Sequence, residues 1–340
     1  MKKLVVLFRL LLTRLPEFML AIHYAGRRER LGHRVMDPKA QAVGVFANSM
    51  RVPGEIPVIE QTRAQVRQIT KVFDEPCPPL AQKRDLSVAG GAGELPARLY
   101  CDSAEPTGLP ILVYFHGGGW VQCDLDTHDG IAGKLAKWSG CIVIAVDYRL
   151  APEDPFPAAI EDGLAAYRWV REHAAELGGD PARVGVGGDS AGGNLSVVIC
   201  QQTAADERPA LQALIYPATD ARMNTASIKE MPDAYIIPTD RMLWYRQTYM
   251  GDFEDLEDLR LSPLLAPDLA GQPKAYVVTG GFDPLRDEGE SYAKALQAAG
   301  NDVTHREFPG QIHAFVSLTK VIPQGNECIR EVAGWLRGAW

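Results

Sequence analysis

The chain has 340 residues, of which 46% are hydrophobic and 23% charged, as is usual for a globular protein. This composition excludes a disordered chain, a collagen-like chain and a coiled coil. The formal net charge of −8 argues against a nucleic-acid partner, which requires a basic surface. Six scattered cysteines without a C-x-x-C pair argue against a zinc site and favour reduced thiols in a cytoplasmic protein.

The N-terminus predicts an amphipathic helix. Lys2 and Lys3 precede an apolar run, as in a signal peptide, but Arg9 interrupts the run and no clear small-residue cleavage site follows. The apolar residues at helical spacing are Leu4, Leu7, Phe8, Leu11, Leu12, Leu15, Phe18 and Met19. We expect residues 1–50 to form cap helices whose apolar face covers a pocket mouth. A cleaved export signal and a membrane-surface helix are the alternatives.

Further along the chain, short β-rich or apolar runs alternate with helical patterns. The predicted strands are 84–89, 96–101, 110–115, 141–146, 183–187, 212–216, 275–279 and 303–308. The predicted helices are 127–138, 158–176, 192–204, 288–299 and 326–337. This alternation is typical of a mostly parallel sheet with helices on both faces. No run has the length and apolarity of a transmembrane helix, so no stable membrane span is expected.

One long segment interrupts the alternation. Residues 218–272 separate two predicted strands by more than fifty positions, far more than a crossover connection requires. A helical pattern near 241–249 indicates that this segment is more than a loop. We therefore predict a cap insertion at 218–272, with the alternating core divided into 51–217 and 273–340.

The segment Gly-Asp-Ser-Ala-Gly at 188–192 lies directly between a predicted strand and a predicted helix. A serine on such a sharp turn needs glycine neighbours, because the backbone passes close by. The helix N-terminus also favours negative charge that develops beside it. A glycine-rich turn with an incidental serine is the plainer alternative, and a phosphate-binding P-loop lacks its Gly-Lys-Ser/Thr. Ser190 is therefore the candidate nucleophile.

A second glycine-rich segment, His-Gly-Gly-Gly-Trp at 116–120, follows an apolar strand. Glycines let backbone N–H groups approach a reacting oxygen, and each donor to a tetrahedral oxyanion contributes roughly 3–4 kcal/mol. We predict Gly117, Gly118 and Ala191 as the oxyanion donors. His116 is expected to brace the loop rather than act as a base.

A serine nucleophile needs a base and an acid that orients the base. In this arrangement the chain order is serine, acid, histidine, which leaves His305 and His313 as candidate bases. His305 alternates within a strand pattern, whereas His313 lies in a loop after that strand. Asp283 follows a predicted strand at its carboxyl end, where ligand-facing groups collect. Asp287 and Glu288 compete with it but fit first-turn helix charges. We predict Asp283 and His313.

Five motifs together resemble the hormone-sensitive-lipase-like esterases, also called bacterial lipolytic family IV, within the α/β-hydrolases. They are HGGG at 116–119, DYRLAPE at 147–153, GDSAGG at 188–193, DPLRDEG at 283–289 and HAF at 313–315. The resemblance covers about residues 80–337. It implies an α/β-hydrolase fold with an eight-stranded, mostly parallel sheet flanked by helices and a helical cap. It also implies a serine carboxylesterase with the triad and oxyanion donors named above.

Cys123 departs from the family, which commonly has glycine there, and Trp120 follows the oxyanion loop. Both add bulk on the side where the acyl chain is expected to enter. Each methylene that finds apolar surface contributes roughly 0.8 kcal/mol until the pocket is full. We therefore predict Trp120 and Cys123 as substrate-binding residues and an optimum of about four to eight acyl carbons, since overfilling is penalised by clash.

The expected partner is a small-molecule ester, without nucleic acid, metal or organic cofactor, and a homodimer is left open. Hydrolysis of an arylacetamide or an acetylated sugar is the alternative reaction. A non-catalytic receptor is a further alternative, because plant gibberellin receptors resemble this family but lack the catalytic histidine. His313 is present in this chain, which argues against that alternative.

Overall fold

The computed structural model describes residues 2–52, 54 and 56–340 and is organised around an eight-stranded sheet. The strands are β1 (Arg30–Leu31), β2 (Arg34–Val35), β3 (Gln82–Gly90), β4 (Gly93–Cys101), β5 (Leu109–Phe115), β6 (Ile142–Val146), β7 (Gly179–Asp189), β8 (Leu211–Ile215), β9 (Lys274–Phe282) and β10 (Val303–Ile312). The large sheet has the order β10-β9-β8-β7-β5-β6-β4-β3, and β1–β2 is a separate hairpin. All neighbours from β10 to β6 are parallel, whereas β4 is antiparallel to β6 and β3.

Helices cover both faces of the sheet. They are α1 (Lys2–Thr13), α2 (Glu17–His23), α3 (Pro38–Met50), α4 (Ile59–Phe73), α5 (Asp129–Ser139), α6 (Ala158–Glu172), α7 (Ala191–Gln202), α8 (Ala226–Glu230), α9 (Thr239–Met250), α10 (Arg286–Ala298) and α11 (Pro323–Ala339). One main apolar layer lies under α5 and α11, and the other lies under α6 and α7. Because both faces are covered, all five residues of β6 are buried, which explains its continuous apolar run.

The structure confirms the predicted fold class and extends several strands. The predicted strand 303–308 continues to Ile312, where pairing with Phe282 resumes after an irregularity that follows Phe308. Pro309 and Gly310 in this stretch explain why the sequence pattern indicated an earlier end. As a result, His313 lies directly after the end of β10, at the carboxyl edge of the sheet.

The N-terminal segment differs from its prediction. The spacing indicated one helix through Met19, but Pro16 separates α1 from α2. Leu12 and Leu20 are buried, while much of the predicted inward face is exposed. The exposed residues from that face are Leu7, Phe8, Leu11, Phe18 and Met19. The side chain of Leu4, also assigned to the face, lies outside the described residues. The expectation that this face covers a pocket mouth is therefore wrong.

The segment nevertheless contacts the insertion. The Tyr235 hydroxyl donates a hydrogen bond to Glu29, the Tyr235 ring lies against Gly44, and Arg51, directly after the segment, pairs with Asp240. Tyr235 and Asp240 both belong to the insertion at 218–272. The assignment of residues 1–50 as cap helices stays a prediction.

Candidate active site

Ser190 lies on the turn between β7 and α7. Its φ of 53° places this residue in the left-handed region, a strained conformation for a serine. A Cβ on Gly188 would collide with the backbone of Gly192, and one on Gly192 would collide with the carbonyl of Phe115. The flanking glycines are therefore required by close backbone approach. The turn holds Ser190 half-buried at the start of α7.

The structure brings the three predicted triad residues together. Ser190 Oγ lies 3.0 Å from His313 Nε2, and His313 Nδ1 lies 2.7 Å from Asp283 Oδ2. Asp283 and His313 are buried, and Asp283 Oδ1 also accepts the N–H of Leu285 at 2.9 Å. A proton on Nδ1 faces the carboxylate, so the Nε2 lone pair is free to accept the serine hydroxyl proton.

The competing residues have other partners. Asp287 accepts a hydrogen bond from the N–H of Ser227 at 2.7 Å and another from Arg286 Nε at 2.8 Å. His305 Nε2 lies 3.0 Å from Thr279 Oγ1 on the neighbouring strand. These contacts separate both residues from the Ser190–His313–Asp283 chain.

One predicted oxyanion donor is wrong. The Gly117 N–H donates a hydrogen bond to Asp189 Oδ1 at 2.9 Å, so it is not free for a substrate. Gly118 and Gly119 line the cavity beside Ser190, with φ values of 112° and 63°. Within the part of the chain that the structure describes, the N–H groups of Gly118, Gly119 and Ala191 have no hydrogen-bond partner. Because three glycines follow one another, the sequence does not show which of their N–H groups stay free.

A second histidine–carboxylate pair lies behind the oxyanion loop. Asp189 Oδ1 accepts the hydroxyl of Tyr114 at 2.8 Å and lies 3.3 Å from His128 Nε2. Burial by itself would raise the pKa of Asp189 and lower that of His128. The mutual attraction of the buried pair dominates, so the pKa of Asp189 is lowered and that of His128 is raised. The sequence does not predict this pair, because His128 precedes the serine in the chain.

His116 braces the loop, as expected. Its Nδ1 lies 2.7 Å from the carbonyl oxygen of Gly117, and its ring stacks on Tyr148 with centroids 4.3 Å apart. The Tyr148 hydroxyl donates to the His116 carbonyl at 2.7 Å. Burial lowers the pKa of His116 to about 4, so the imidazole is neutral at neutral pH.

A cavity of about 230 Å³ opens onto Ser190 and His313. The insertion contributes Met223, Ile236, Ile237, Met242, Tyr245, Arg246 and Tyr249 to its walls. Helix α4 contributes Val66, Ile69 and Thr70, whereas none of the described residues before α4 lines the cavity. The insertion therefore walls the site, and the N-terminal wall comes from α4 instead of residues 1–50.

Trp120 and Cys123 both line this cavity. The Trp120 ring stacks on Tyr249 with centroids 4.4 Å apart. Cys123 has a φ of 76°, a conformation in which glycine is unstrained and cysteine is not. A Cβ on Gly118 would lie 2.9 Å from its Sγ. Burial raises the pKa of the Cys123 thiol, which makes it a neutral wall of the pocket and a poor nucleophile.

Glu288 is a cavity residue that the sequence does not predict as functional. It is buried, and its Oε1 accepts the N–H groups of Thr219 at 2.6 Å and Asp220 at 3.3 Å. Among the described residues, its Oε2 has no hydrogen-bond partner. Burial raises the pKa of Glu288 well above its ordinary value, which favours the neutral form of the carboxyl. In the sequence, Glu288 was weighed only as a competitor of Asp283 for the acid, five positions further along.

The profile of the family described as alpha/beta hydrolase fold matches residues 112–317. The carboxylic ester hydrolase LipN of Mycobacterium tuberculosis is 43% identical over 306 residues, which cover 86% of this chain and 80% of LipN. The chain belongs to the hormone-sensitive-lipase-like esterases. Ethyl acetate hydrolase of Pseudomonas putida is 39% identical to this esterase over 249 residues, or 72% of this chain and 78% of that enzyme.

A solved structure of an ester hydrolase is also similar to this chain. The ester hydrolase EH1AB1 from the metagenome of Lake Arreo, in complex with a bipyridine phosphonate derivative, has a TM-score of 0.83 and 41% identity. The similarity covers 89% of this chain and 98% of that one. The predicted family and enzyme class, a carboxylic ester hydrolase, are confirmed, and the amidase alternative is not favoured. None of the described helices is long and apolar enough to cross a bilayer.

Proposed function

We propose that this esterase hydrolyses esters of short to medium acyl chains through an acyl-enzyme on Ser190. The observation that carries the proposal is the hydrogen-bonded chain from Ser190 Oγ through His313 to Asp283, which opens onto the cavity. A small-molecule ester as partner follows from this site. A cytoplasmic location stays a prediction.

The reaction proceeds in two halves. Ser190 Oγ attacks the ester carbonyl carbon while its proton passes to His313 Nε2, and Asp283 stabilises the imidazolium that forms. His313 then returns this proton to the departing alkoxide oxygen, which leaves as the alcohol. A water molecule next gives its proton to His313 and attacks the acyl carbon. Collapse of that intermediate breaks the bond to Ser190 Oγ, which recovers the proton, and releases the acid. These steps require no metal or organic cofactor.

The oxyanion of both tetrahedral intermediates binds to the N–H groups of Gly118, Gly119 and Ala191. Ala191 begins α7, where the helix dipole favours negative charge. Gly117 supports these donors from behind through its bond to Asp189. Donors held in place before the reaction need no reorganisation when the charge develops, and each contributes roughly 3–4 kcal/mol.

The size and lining of the cavity support short to medium acyl chains. Its volume of about 230 Å³ is below the usual range for ligand pockets, roughly 300–1,000 Å³. Trp120 and Cys123 occupy space beside the oxyanion loop, and the remaining wall is mainly apolar. Such a pocket accommodates a small acyl chain better than a long one.

The test is Ser190→Ala together with organophosphate labelling. We expect kcat/KM for a soluble ester to fall by roughly 10⁵ or more, because only binding and oxyanion donors remain. The wild type should carry one organophosphate on Ser190 by peptide mass spectrometry. Ser317→Ala, which changes another serine of the cavity wall, is the control and should retain activity. Labelling of Ser196 or Ser227 would contradict the assignment.

A substrate panel tests the chemical class. Esters from acetyl to palmitoyl, each with its matching amide, should show hydrolysis that favours esters and peaks at butyryl to octanoyl. A faster rate on the amides would favour the alternative reaction. A preference for palmitoyl would contradict the proposed chain length and leave the nucleophile unaffected.

A further inference from the structure

Six large apolar side chains lie exposed on α1 and α2, and we call them the N-terminal apolar face. They are Leu7 (55% exposed), Phe8 (57%), Leu11 (55%), Phe18 (67%), Met19 (42%) and Ile22 (71%). The opposite sides of the helices are anchored, because Leu12 and Leu20 pack with Tyr24 and Ala42. Several exposed apolar side chains grouped on one anchored element are typical of an interaction surface.

The same segment is basic, although the whole chain is acidic. Residues 1–30 contain seven lysines and arginines against two glutamates, a net charge of +5, whereas the chain as a whole carries −8. Arg14, Arg27 and Arg30 are exposed. The segment therefore combines an apolar face with positive charge, the combination found in helices that lie in the surface of an anionic bilayer.

We propose that the N-terminal apolar face docks this esterase onto the surface of an anionic lipid bilayer. Helix α1 has 12 residues and is therefore about 18 Å long, too short to span an apolar core of about 30 Å. It lies along the surface with its apolar side chains below the headgroups. A second copy of the chain fits this face less well, because a symmetric dimer would bring two copies of the same basic segment together.

Further exposed apolar residues lie between α3 and the cavity-lining helix α4 in the chain. Arg9 Nη1 donates to the Val45 carbonyl at 3.5 Å, and Lys39 Nζ donates to the Thr13 carbonyl at 3.1 Å, so α1 runs antiparallel to α3. The start of α1 therefore lies near the end of α3. From there to α4 the chain exposes Met50, Val52, Ile56 and Val58. Helix α4 itself lines the cavity, so bilayer docking brings one cavity wall close to lipid.

Vesicle sedimentation tests this proposal on the full chain carrying Ser190→Ala, which prevents lipid hydrolysis. We expect binding to vesicles of equal parts phosphatidylglycerol and phosphatidylcholine, weaker binding to phosphatidylcholine alone, and a decrease as salt is added. Phe18→Ser and Ile22→Ser together should lower the vesicle partition coefficient about 100-fold, roughly tenfold for each lost apolar side chain. Leu259→Ser, which changes an exposed apolar residue of the insertion, should leave binding unchanged.

Other results would overturn the proposal. Binding of the Ser190→Ala chain that is absent, or equal for both vesicle types, contradicts an anionic lipid surface. A dimer in sedimentation equilibrium that the Phe18→Ser and Ile22→Ser pair converts to monomers assigns the face to a second copy. A melting temperature equal to that of the wild type checks that the variants are folded. Because the readout involves no hydrolysis, it is independent of the proposed function.

Discussion

Two buried histidine–carboxylate pairs flank the candidate nucleophile, and their free ring nitrogens face different groups. His313 pairs with Asp283 through Nδ1, and its Nε2 faces the serine hydroxyl at 3.0 Å. His128 pairs with Asp189 through Nε2, and its Nδ1 lies 3.2 Å from Thr127 Oγ1. The chemistry of the two pairs is alike, but only the first has a reacting group beside its second nitrogen.

The second pair, His128 and Asp189, holds the backbone of the oxyanion loop. Its carboxylate holds the Gly117 N–H and the Tyr114 hydroxyl, and thereby fixes the loop that carries the proposed oxyanion donors. The first pair is therefore expected to move a proton, and the second to position donors that the substrate contacts. Substitutions that remove one carboxylate at a time separate these roles.

The largest expected effect follows from removing the acid of the first pair. Asp283→Asn should lower kcat by about 10⁴, because the amide no longer holds the imidazole tautomer or stabilises its charge. Steady-state kinetics on a soluble ester measure the effect. Asp287→Asn, four positions further along, is the control and should cost far less. The reverse ranking would show that Asp287 is the acid.

The acid of the second pair should matter less for catalysis and more for stability. We expect Asp189→Asn to lower kcat about 100-fold, because the loop donors become less well positioned. The free energy of unfolding should fall by about 2 kcal/mol with the loss of buried charged hydrogen bonds. Kinetics and denaturant unfolding measure the two effects, with Asp180→Asn near the start of the same strand as control. An unchanged kcat would contradict the positioning role.

The lowered pKa of His116, which lies beside Gly117 in the oxyanion loop, leads us to expect that stability depends on pH. The pKa of His116 is about 4 in the folded chain, whereas an ordinary histidine has a pKa of 6.5. Between these pH values, the unfolded chain binds a proton at His116 and the folded chain does not. The free energy of unfolding that neutral His116 contributes is therefore lost as pH falls from about 6.5 to about 4. The destabilisation caused by His116→Gln should shrink by about 2 kcal/mol between about pH 7.5 and pH 5.

The His116→Gln variant is needed because a nearby carboxyl changes the stability with pH in the opposite direction. Asp147 Oδ1 is 3.9 Å from His116 Nε2, and burial together with Asp124 raises the pKa of Asp147 to about 6. The folded chain therefore retains a proton on Asp147 that the unfolded chain loses, which opposes the His116 effect in the wild type. Denaturant unfolding of His33→Gln, an exposed histidine, is the control. A pH-independent cost of His116→Gln would contradict the prediction.

The smallest expected effect concerns the cavity wall. Cys123→Gly should move the acyl optimum about two carbons longer, with roughly a fourfold gain in kcat/KM for each extra methylene that contacts apolar surface. Hydrolysis of the ester panel measures the shift. Cys77→Ala, which changes a half-buried cysteine outside the cavity, should leave the optimum unchanged. An unchanged optimum in Cys123→Gly would show that this side chain does not limit the pocket.

Local patterns in the sequence are enough to predict the parallel sheet, the insertion at 218–272, and Ser190, Asp283 and His313 as candidates for the triad. These features depend on local patterns, namely apolar runs, a strand–glycine–serine–glycine–helix turn, and polar residues at the carboxyl ends of parallel strands. Strands of a parallel sheet end at one common edge, so residues far apart in the chain meet there predictably.

Three features depend on contacts between distant segments: which glycine N–H groups stay free, which carboxyl oxygen has no partner among the described residues, and which helix face is buried. Gly117 is excluded as a donor because Asp189 reaches it from another strand. The pKa of the Glu288 carboxyl is raised because folding buries it. On α1 and α2 the apolar spacing predicted helix but not which side chains are buried, because burial depends on where α3 packs. Periodicity identifies an apolar face, whereas the partner element determines whether it is covered.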